Sequence, residues 1–232
     1  MKLTKEFKCR ASKSGVMMTN GRGKATMGET CKTYLKEWII EQASGQKKVS
    51  ESKYFDHGNY GEPFAIERAS KHFNTPMTKN EKHLENEHFT GMFDTKGTGI
   101  VVDTKCPWDQ FTMPYFDANP PKGYYSQLQV YMDLTGEKKA ALFYALENHS
   151  DDQIDKLAQR LAWDEGKDEP DMEHWNEAKS RLTFDHLPAW MRQKVYEFER
   201  DDELIDAMKQ RVELCREVIE VELLPMLEGG EK

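Results

Sequence analysis

The sequence predicts an α/β or α+β domain in which helices pack against a mixed β-sheet. Residues 29–43 carry apolar side chains at helical spacing, and residues 139–146 form a short apolar run typical of a buried strand. Residues 201–227 again have the apolar spacing of a long helix. The 232 residues suffice for one sizeable core, so we expect a single domain over 1–232 with a helical insertion at about 150–190.

Two helices and a loop are predicted for the first third of the chain. Residues 10–28 are rich in Gly, Ser, Thr and basic residues, which indicates a loop with little regular structure. A helix follows over 29–43. A second helix is expected to begin near Gly61–Pro63, because proline suits a first helical turn. Its expected buried side chains are Phe64, Ile66, Ala69 and Phe73.

A hairpin and a further helix–strand pair are predicted next. Phe89–Phe93 and Gly99–Thr104 are β-prone runs, and Thr95–Thr98 between them has the composition of a turn. Several prolines then interrupt the chain. Residues 122–135 fit a helix that ends at a glycine, before the buried strand at 139–146.

The last third of the chain is acidic. Residues 150–185 fit one or two helices, and Val195–Glu199 alternates like a half-buried strand. We expect the acidic helices to lie outside the main sheet. The long helix over 201–227 closes the predicted order of elements.

Composition excludes several classes of protein. Aromatic residues make up 11% of the chain, which argues against disorder, and no apolar run approaches the length of a membrane span. The N-terminus lacks the apolar stretch of a signal peptide, so we expect a cytoplasmic protein. The four cysteines form no CxxC pair, and the seven histidines form no ligand pattern with them, which disfavours a thiol or zinc enzyme.

Charge is distributed unevenly. The net charge is −8, yet residues 1–53 contain 12 Lys/Arg and 5 Asp/Glu, a balance of +7. Residues 54–146 have a balance of −3 and residues 147–232 a balance of −12. The N-terminal segment could therefore meet phosphates, although uneven charge also occurs on ordinary solvated surfaces.

The pattern that carries chemistry lies around the predicted hairpin. In a strand Asp103 and Lys105 share one face and Thr104 turns away. Asp94 ends the preceding run, so it can lie beside Asp103. Two neighbouring carboxylates repel each other unless a cation lies between them, and Mg²⁺ is a hard cation that takes one or two carboxylates.

Each residue of this pattern also has an ordinary interpretation. Asp94 could be a turn residue, and Lys105 a surface partner of Asp103. Glu62 could be a stabilising acid in a first helical turn, and Tyr131 a core residue. Gln127 and Tyr131 are four apart on one helical face. The order of these residues along the chain is more informative than any of them alone.

That order, Glu, Asp, Asp-x-Lys and Gln-x-x-x-Tyr, resembles the lambda exonuclease and YqaJ-type viral recombinase family. This family belongs to the PD-(D/E)xK, restriction-endonuclease-like superfamily. Thr104–Pro107 looks like the lambda-type lysine motif, and Arg10–Ser12 resembles the Ala-Ser motif near the N-terminus of the family. The resemblance covers roughly residues 8–147 and, more faintly, the chain from 193 on.

The resemblance implies a metal-dependent nuclease site. It assigns Asp94, Asp103 and the backbone carbonyl of Thr104 to a Mg²⁺ ion, for which Mn²⁺ could substitute. It assigns Glu62 to a second ion, and it gives Lys105 the task of orienting or activating the attacking water.

It further implies supporting roles for Gln127, or alternatively Gln129, and for Tyr131. Two departures from the family pattern are visible. The lambda-type family has Glu at the position of Asp103, and Phe93 replaces the proline that precedes the first aspartate. The superfamily accepts either acid and varies at the proline.

At the N-terminus, the resemblance assigns Ser12 and Arg10 to a DNA phosphate, with Ser14 as an alternative to Ser12. It implies 5′-to-3′ digestion of linear double-stranded DNA by a ring-shaped trimer. The acidic segment 150–190 could line an outer surface or dock a single-strand annealing protein.

Two other functions remain compatible with the sequence. One is a structure-specific or single-strand DNA nuclease of the same fold. The other is a non-catalytic DNA-binding or assembly module, against which the full set of chemically competent residues argues.

Overall fold

The computed structural model describes residues 5–23, 27–48 and 52–228. The strands in these ranges are β1 (Cys9–Arg10), β2 (Leu84–Glu85), β3 (Phe89–Gly91), β4 (Thr95–Gly97), β5 (Ile100–Lys105), β6 (Lys139–Ala145) and β7 (Gln193–Glu199). The helices are α1 (Ser14–Met17), α2 (Glu29–Ser44), α3 (Lys53–His72), α4 (Lys122–Thr135), α5 (Asp151–Asp164), α6 (Met172–Leu182), α7 (Asp202–Val218) and α8 (Leu224–Glu228).

A four-stranded mixed sheet, in the order β4-β5-β6-β7, forms the centre of the fold. β4 and β5 form an antiparallel hairpin, β5 and β6 run parallel with α4 between them in sequence, and β7 pairs antiparallel with β6. A small second sheet has the order β1-β3-β2. The predicted fold class, a mixed sheet flanked by helices, is confirmed.

The two central strands are buried on both faces. Val101 and Leu142 belong to the larger core, which includes side chains of α2, α4 and α7. Val102 and Phe143 belong to a second cluster, which they share with α3. Successive side chains of a strand point to opposite faces, so a strand covered on both sides reads as a continuous apolar run. This explains why residues 139–146 were recognisable from sequence.

Helix α3 begins eight residues before the predicted position. The hydroxyl of Ser52 accepts a hydrogen bond from the backbone N–H of Phe55 at 3.2 Å and caps the helix. Pro63 therefore lies inside α3, where it costs one backbone hydrogen bond. Ile66 and Ala69 are buried as predicted, whereas Phe64 is 47% exposed and Phe73 is half-buried, since the buried stripe runs through Ala65, Ile66 and Ala69.

The hairpin also differs from its prediction. Thr95–Gly97 forms strand β4, and the turn lies at Thr98 and Gly99 between the paired residues Gly97 and Ile100. Gly99 has a φ of +76°, which favours glycine. Phe89–Gly91 pairs with β1 and β2 instead of with β5.

The segment 10–28, predicted to be a loop, contains the end of β1, a 3-10 turn at Ala11–Lys13 and the short helix α1. The other predicted helices and strands of the chain are confirmed. The long C-terminal helix contains a π-helical turn at Ile219–Leu223. Among the described residues, no helix has the length and apolar character needed to cross a bilayer.

Helices α5 and α6 pack on each other around a small core of their own. Its buried residues are Ile154, Ala158, Ala178 and Leu182. The expectation that the acidic helices lie outside the main sheet agrees with this separate cluster. Whether the segment is an insertion stays a prediction.

A stacked histidine pair lies between α3 and the start of α5. The rings of His57 and His149 are 3.8 Å apart and 13° from parallel. Their Nε2 atoms lie 3.1 Å from the carbonyl oxygen of Pro107 and 2.7 Å from that of Trp108. Burial lowers the pKa of both rings, and the pKa of His149 falls from 6.5 to about 4. The neutral pair thus holds the chain that follows β5.

We predict that this pair makes stability fall in mild acid. An unfolded His149 takes up a proton near pH 6.5, whereas the folded one does so near pH 4, so stability present above pH 6.5 is lost as the pH falls towards 4. The loss should reach up to about 3 kcal/mol. Urea unfolding at pH 7 and pH 4.5 should show a smaller pH-dependent loss for His149→Gln than for the wild type. His186→Gln, at an exposed histidine, is the control and should behave as the wild type.

Candidate active site

A cleft of about 440 Å³ opens at the end of strand β5. It contains Glu62, Asp94, Thr104 and Lys105, four of the residues that the sequence analysis selected. Aromatic side chains line the remaining walls, among them Tyr54, Phe55, Tyr124 and Tyr144. The fold therefore gathers the four selected residues, which lie up to 43 positions apart in the sequence, from Glu62 to Lys105.

Asp94 is held in place by the backbone of β5. It directly precedes β4, whose Thr95 pairs with Val102, so Asp94 lies next to Asp103 in the register. Its Oδ2 accepts hydrogen bonds from the backbone N–H of Thr104 at 2.7 Å and from the Thr104 hydroxyl at 2.9 Å. Asp94 and Asp103 are neighbours, as predicted, but the strand that pairs with β5 and places Asp94 there is β4 and not β3.

Asp103 and Lys105 form a buried ion pair. The Asp103 side chain is 2% exposed, and its Oδ2 accepts a hydrogen bond from the Lys105 ammonium. The pKa of Asp103 is raised to about 6: burial is the largest cause, the negative charges of Asp94 and Glu62 add to it, and the positive charge of Lys105 opposes it. Burial acts to lower the pKa of Lys105, but Asp103 and Asp94 outweigh burial and hold that pKa above its usual value.

A chain of hydrogen bonds continues from Asp103 into the core. Nε2 of Gln127 donates to Oδ1 of Asp103 and to the Tyr131 hydroxyl, both at 3.0 Å. The hydroxyl of Tyr131 donates in turn to the carbonyl oxygen of Met92 at 3.0 Å. Gln129 instead bonds to the β7–α7 connection. Of the two glutamines considered, Gln127 is the one that contacts the site.

Glu62 reaches the cleft from within α3, so it is not an acid of a first helical turn. The neighbouring Gly61 allows the close approach, because a Cβ at that position would lie 2.7 Å from Sγ of Cys106. Oε2 of Glu62 lies 2.8 Å from Nζ of Lys79. This lysine was missed from sequence, since nothing local relates Lys79 to Glu62.

The oxygen donors of the cleft fit a hard divalent cation. Glu62, Asp94 and the carbonyl of Thr104 are the types of ligand that Mg²⁺ prefers. The mutual influence of the carboxylates on the pKa of Asp103 is the repulsion that a cation would relieve. Asp103 faces Lys105 and Gln127 here and would have to turn from Lys105 to become a ligand.

Another potential metal cluster lies elsewhere in the structure. Within the described parts of the chain, Glu87, His88 and Glu213 are the one His/Cys/Asp/Glu trio whose ligand atoms all lie within 4.8 Å of one another. Glu213 also pairs with Arg216 at 2.7 Å, and this positive charge opposes binding of a cation. We therefore keep the carboxylates of the 440 Å³ cleft as the candidate metal ligands.

The N-terminal residues selected for phosphate binding line a second, basic cleft of about 920 Å³. Arg10 and Ser12 are part of its wall, as is Tyr131. Arg10 forms an ion pair with Glu41, and Ser12 is exposed. Ser14, the alternative to Ser12, is fully buried and donates to the carbonyl oxygen of Ala11 at 2.7 Å, so it cannot meet a phosphate. Lys5, Lys8 and Lys47 add positive charge to this cleft.

Comparison with solved structures identifies the fold. No protein-family model and no curated protein matches the sequence at a significant level. The structure superposes on a phage-related exonuclease from Haemophilus somnus 129PT with a TM-score of 0.78 and 23% identity, over 96% of this chain and 97% of that one. This chain has an exonuclease fold.

A second exonuclease supports the same conclusion. The alkaline exonuclease LHK-Exo from Laribacter hongkongensis aligns with a TM-score of 0.66 and 18% identity, over 96% of this chain and 93% of that one. The same protein in complex with dAMP aligns with a TM-score of 0.65 and 20% identity. At these identities the likeness concerns the fold.

We predict that Gln127→Leu destabilises the metal-free protein. The change leaves Oδ1 of the buried Asp103 without its donor, which should lower the free energy of unfolding by about 1–3 kcal/mol. Urea unfolding in the presence of a chelator measures the loss. Gln210→Leu, at an exposed position of α7, makes the same exchange in a helix and should have little effect. Equal stability of Gln127→Leu and the wild type would contradict the hydrogen-bond chain.

Proposed function

We propose that the protein is a metal-dependent deoxyribonuclease, acting as a 5′-to-3′ exonuclease on linear double-stranded DNA in phage-type recombination. The observation that carries the proposal is the cleft at the end of β5, where Glu62, Asp94, Thr104 and Lys105 meet next to the buried Asp103. The shared fold with known exonucleases adds support.

The proposed metal ligands are Asp94, Asp103, Glu62 and the carbonyl of Thr104. Mg²⁺ is the proposed ion, with two ions per site and Mn²⁺ as a substitute. A bound divalent cation supplies positive charge that activates water and neutralises the phosphate. The hydrogen bonds from Thr104 to Asp94 orient one ligand before any ion arrives.

Lys105 is the proposed positive group at the reacting phosphate. Its pKa lies above the usual value, so the side chain remains an ammonium over the pH range of a nuclease assay. The carbonyl oxygen of Thr104 at 3.2 Å and the ring of Tyr124 at 5.1 Å help to fix its position. A fixed charge aimed at the phosphate stabilises the transition state more than the ground state. Gln127 and Tyr131 act in this proposal as positioning residues for Asp103.

Double-stranded DNA is the proposed substrate, and the basic 920 Å³ cleft is proposed to hold one of its phosphates. Arg10 would exchange Glu41 for the phosphate, and Ser12 would donate its hydroxyl. Tyr131 lines this cleft and also bonds to Gln127, so the same helix α4 serves the phosphate site and the proposed metal site.

The assembly and the cellular setting are proposals that rest on the sequence and on its resemblance to the family. A homotrimer would encircle the DNA, and the acidic helices α5 and α6 would face outwards or dock a single-strand annealing protein. The proposed location is the cytoplasm of a bacterium or of a phage-infected cell.

The decisive experiment is digestion of end-labelled linear duplex DNA with Mg²⁺. We predict that the wild type releases nucleotides from the 5′ ends, and that Lys105→Ala is slower by about 100-fold or more, because a fixed charge at the phosphate is lost. Lys96→Ala is the matched control: Lys96 lies exposed on the neighbouring strand β4, and this variant should digest at the wild-type rate.

Two outcomes would contradict the proposal. Digestion of closed circular duplex would replace exonuclease by a structure-specific or single-strand nuclease. A folded wild type that digests neither phosphorylated nor unphosphorylated ends would favour a non-catalytic DNA-binding module.

A further inference from the structure

A third cleft, of about 860 Å³, lies between the start of α3, the segment after β5 and the helical pair α5–α6. None of the residues assigned above to metal or phosphate lines it. Its walls combine the basic side chains of Lys53, Lys156, Arg160 and Arg181, the aromatic rings of Trp108 and Phe111, and three aspartates and two leucines. The helical pair contributes basic residues to it in spite of its acidic composition.

The basic residues of the acidic segment converge on this cleft. Residues 150–185 contain 11 Asp/Glu and only 5 Lys/Arg. Three of those five, Lys156, Arg160 and Arg181, line the cleft. If the five basic residues were placed at random on the acidic surface, three of them would not be expected at one cleft. The cleft is therefore the place where α5 and α6 can meet a polyanion.

These charges are free to exchange partners. Lys156 and Arg181 are in exposed i,i+4 pairs with Asp152 and Glu177, and such pairs contribute little in water. Within the described residues, Arg160 and Lys53 have no carboxylate within 4.0 Å. A phosphate can therefore bind these basic side chains with little loss of free energy from broken ion pairs.

Aromatic rings complete the chemistry. Phe111 is 86% exposed, so the face of its ring is accessible to a ligand. Trp108 is half-buried, with the Lys53 ammonium 4.6 Å from its ring. Rings beside cations are the combination that binds single-stranded nucleic acids, because each base offers a face for stacking and each phosphate a charge. Bases inside a duplex have no such free faces.

The third cleft adjoins the candidate active site through shared elements. Pro107 and Thr112 line the 440 Å³ cleft, and the intervening Trp108–Phe111 lines the third one. At the start of α3, Tyr54 and Phe55 line the 440 Å³ cleft, whereas Lys53 and Asp56 line the third cleft. A strand that leaves the active site therefore reaches the third cleft directly.

We propose that the cleft between α3, α5 and α6 binds a single-stranded segment of DNA next to the site of hydrolysis. The assignment of the strand as part of the nuclease substrate rests on the proposed function, but the binding itself does not. Arg160 and Lys156 contact phosphates, and Phe111 stacks on a base.

The test is fluorescence anisotropy with a labelled oligothymidylate of about 12 nucleotides, a length within the usual site sizes. A chelator prevents hydrolysis. We expect Arg160→Glu and Phe111→Ala each to weaken binding by about ten-fold or more. The slope of log affinity against log salt should fall by about 0.7 for each phosphate that residue 160 no longer neutralises.

The control is Lys179→Glu, a charge reversal at an exposed position of α6 outside the cleft, which should bind as the wild type does. All three positions are exposed, and circular dichroism verifies that the variants fold.

Three results would overturn the inference: wild-type affinity in both cleft variants, an equal loss of affinity in Lys179→Glu, or an equal loss for blunt duplex and for oligothymidylate. Cleft variants that keep their affinity for DNA but lose a protein partner would make this a protein-docking face. If the wild type hydrolyses no DNA, yet Arg160→Glu and Phe111→Ala lose oligothymidylate, the binding site stands and the proposed nuclease function fails.

Discussion

The organisation of the candidate site depends on one buried carboxylate. Asp103 is almost fully enclosed at the end of a central strand, where an unpaired negative charge would be costly. Lys105 and Gln127 compensate that charge, and Tyr131 with the carbonyl of Met92 extends the compensation into the core. The position of α4 relative to β5 is thereby fixed by the same bonds that place the candidate catalytic groups.

The surrounding elements bring further charge to the same point. Asp94 is tied to the backbone of β5, and Glu62 comes from a helix that packs closely because Gly61 has no side chain. Lys79 balances Glu62 from outside the cleft. The site thus contains three carboxylates and two lysines. A bound cation would offset the negative charge of the carboxylates, and a phosphate would offset the positive charge of the lysines.

The sequence predicted the elements with strong periodicity and those with clear ends. The helix over 122–135 and the strand over 139–146 were correct, because a glycine ends the helix and the strand is apolar on both faces. Errors arose where one local signal had two meanings. Pro63 suggested a helix start, but Ser52 provides the cap, and the packing of Ala65 and Ile66 outweighs the missing hydrogen bond at the proline.

The order of acidic, lysine, glutamine and tyrosine residues along the chain was the part of the candidate site that the sequence could reveal. That order selected Asp94, Asp103 and Lys105, which the fold brings together. It could not select Lys79, nor exclude Gln129, because contacts between distant segments decide both. Ser14 was excluded only by its burial against Ala11.

The parallel pairing of β5 with β6 has a consequence for synthesis of the protein. Both carboxylates and the lysine of the hairpin leave the ribosome before α4 and β6, yet β5 needs both elements as neighbours. Pairing across such a separation forms late, since a long loop must close first. A nascent chain therefore carries its acidic residues for some time without an organised cleft. Chains that stop before residue 139 should not acquire one.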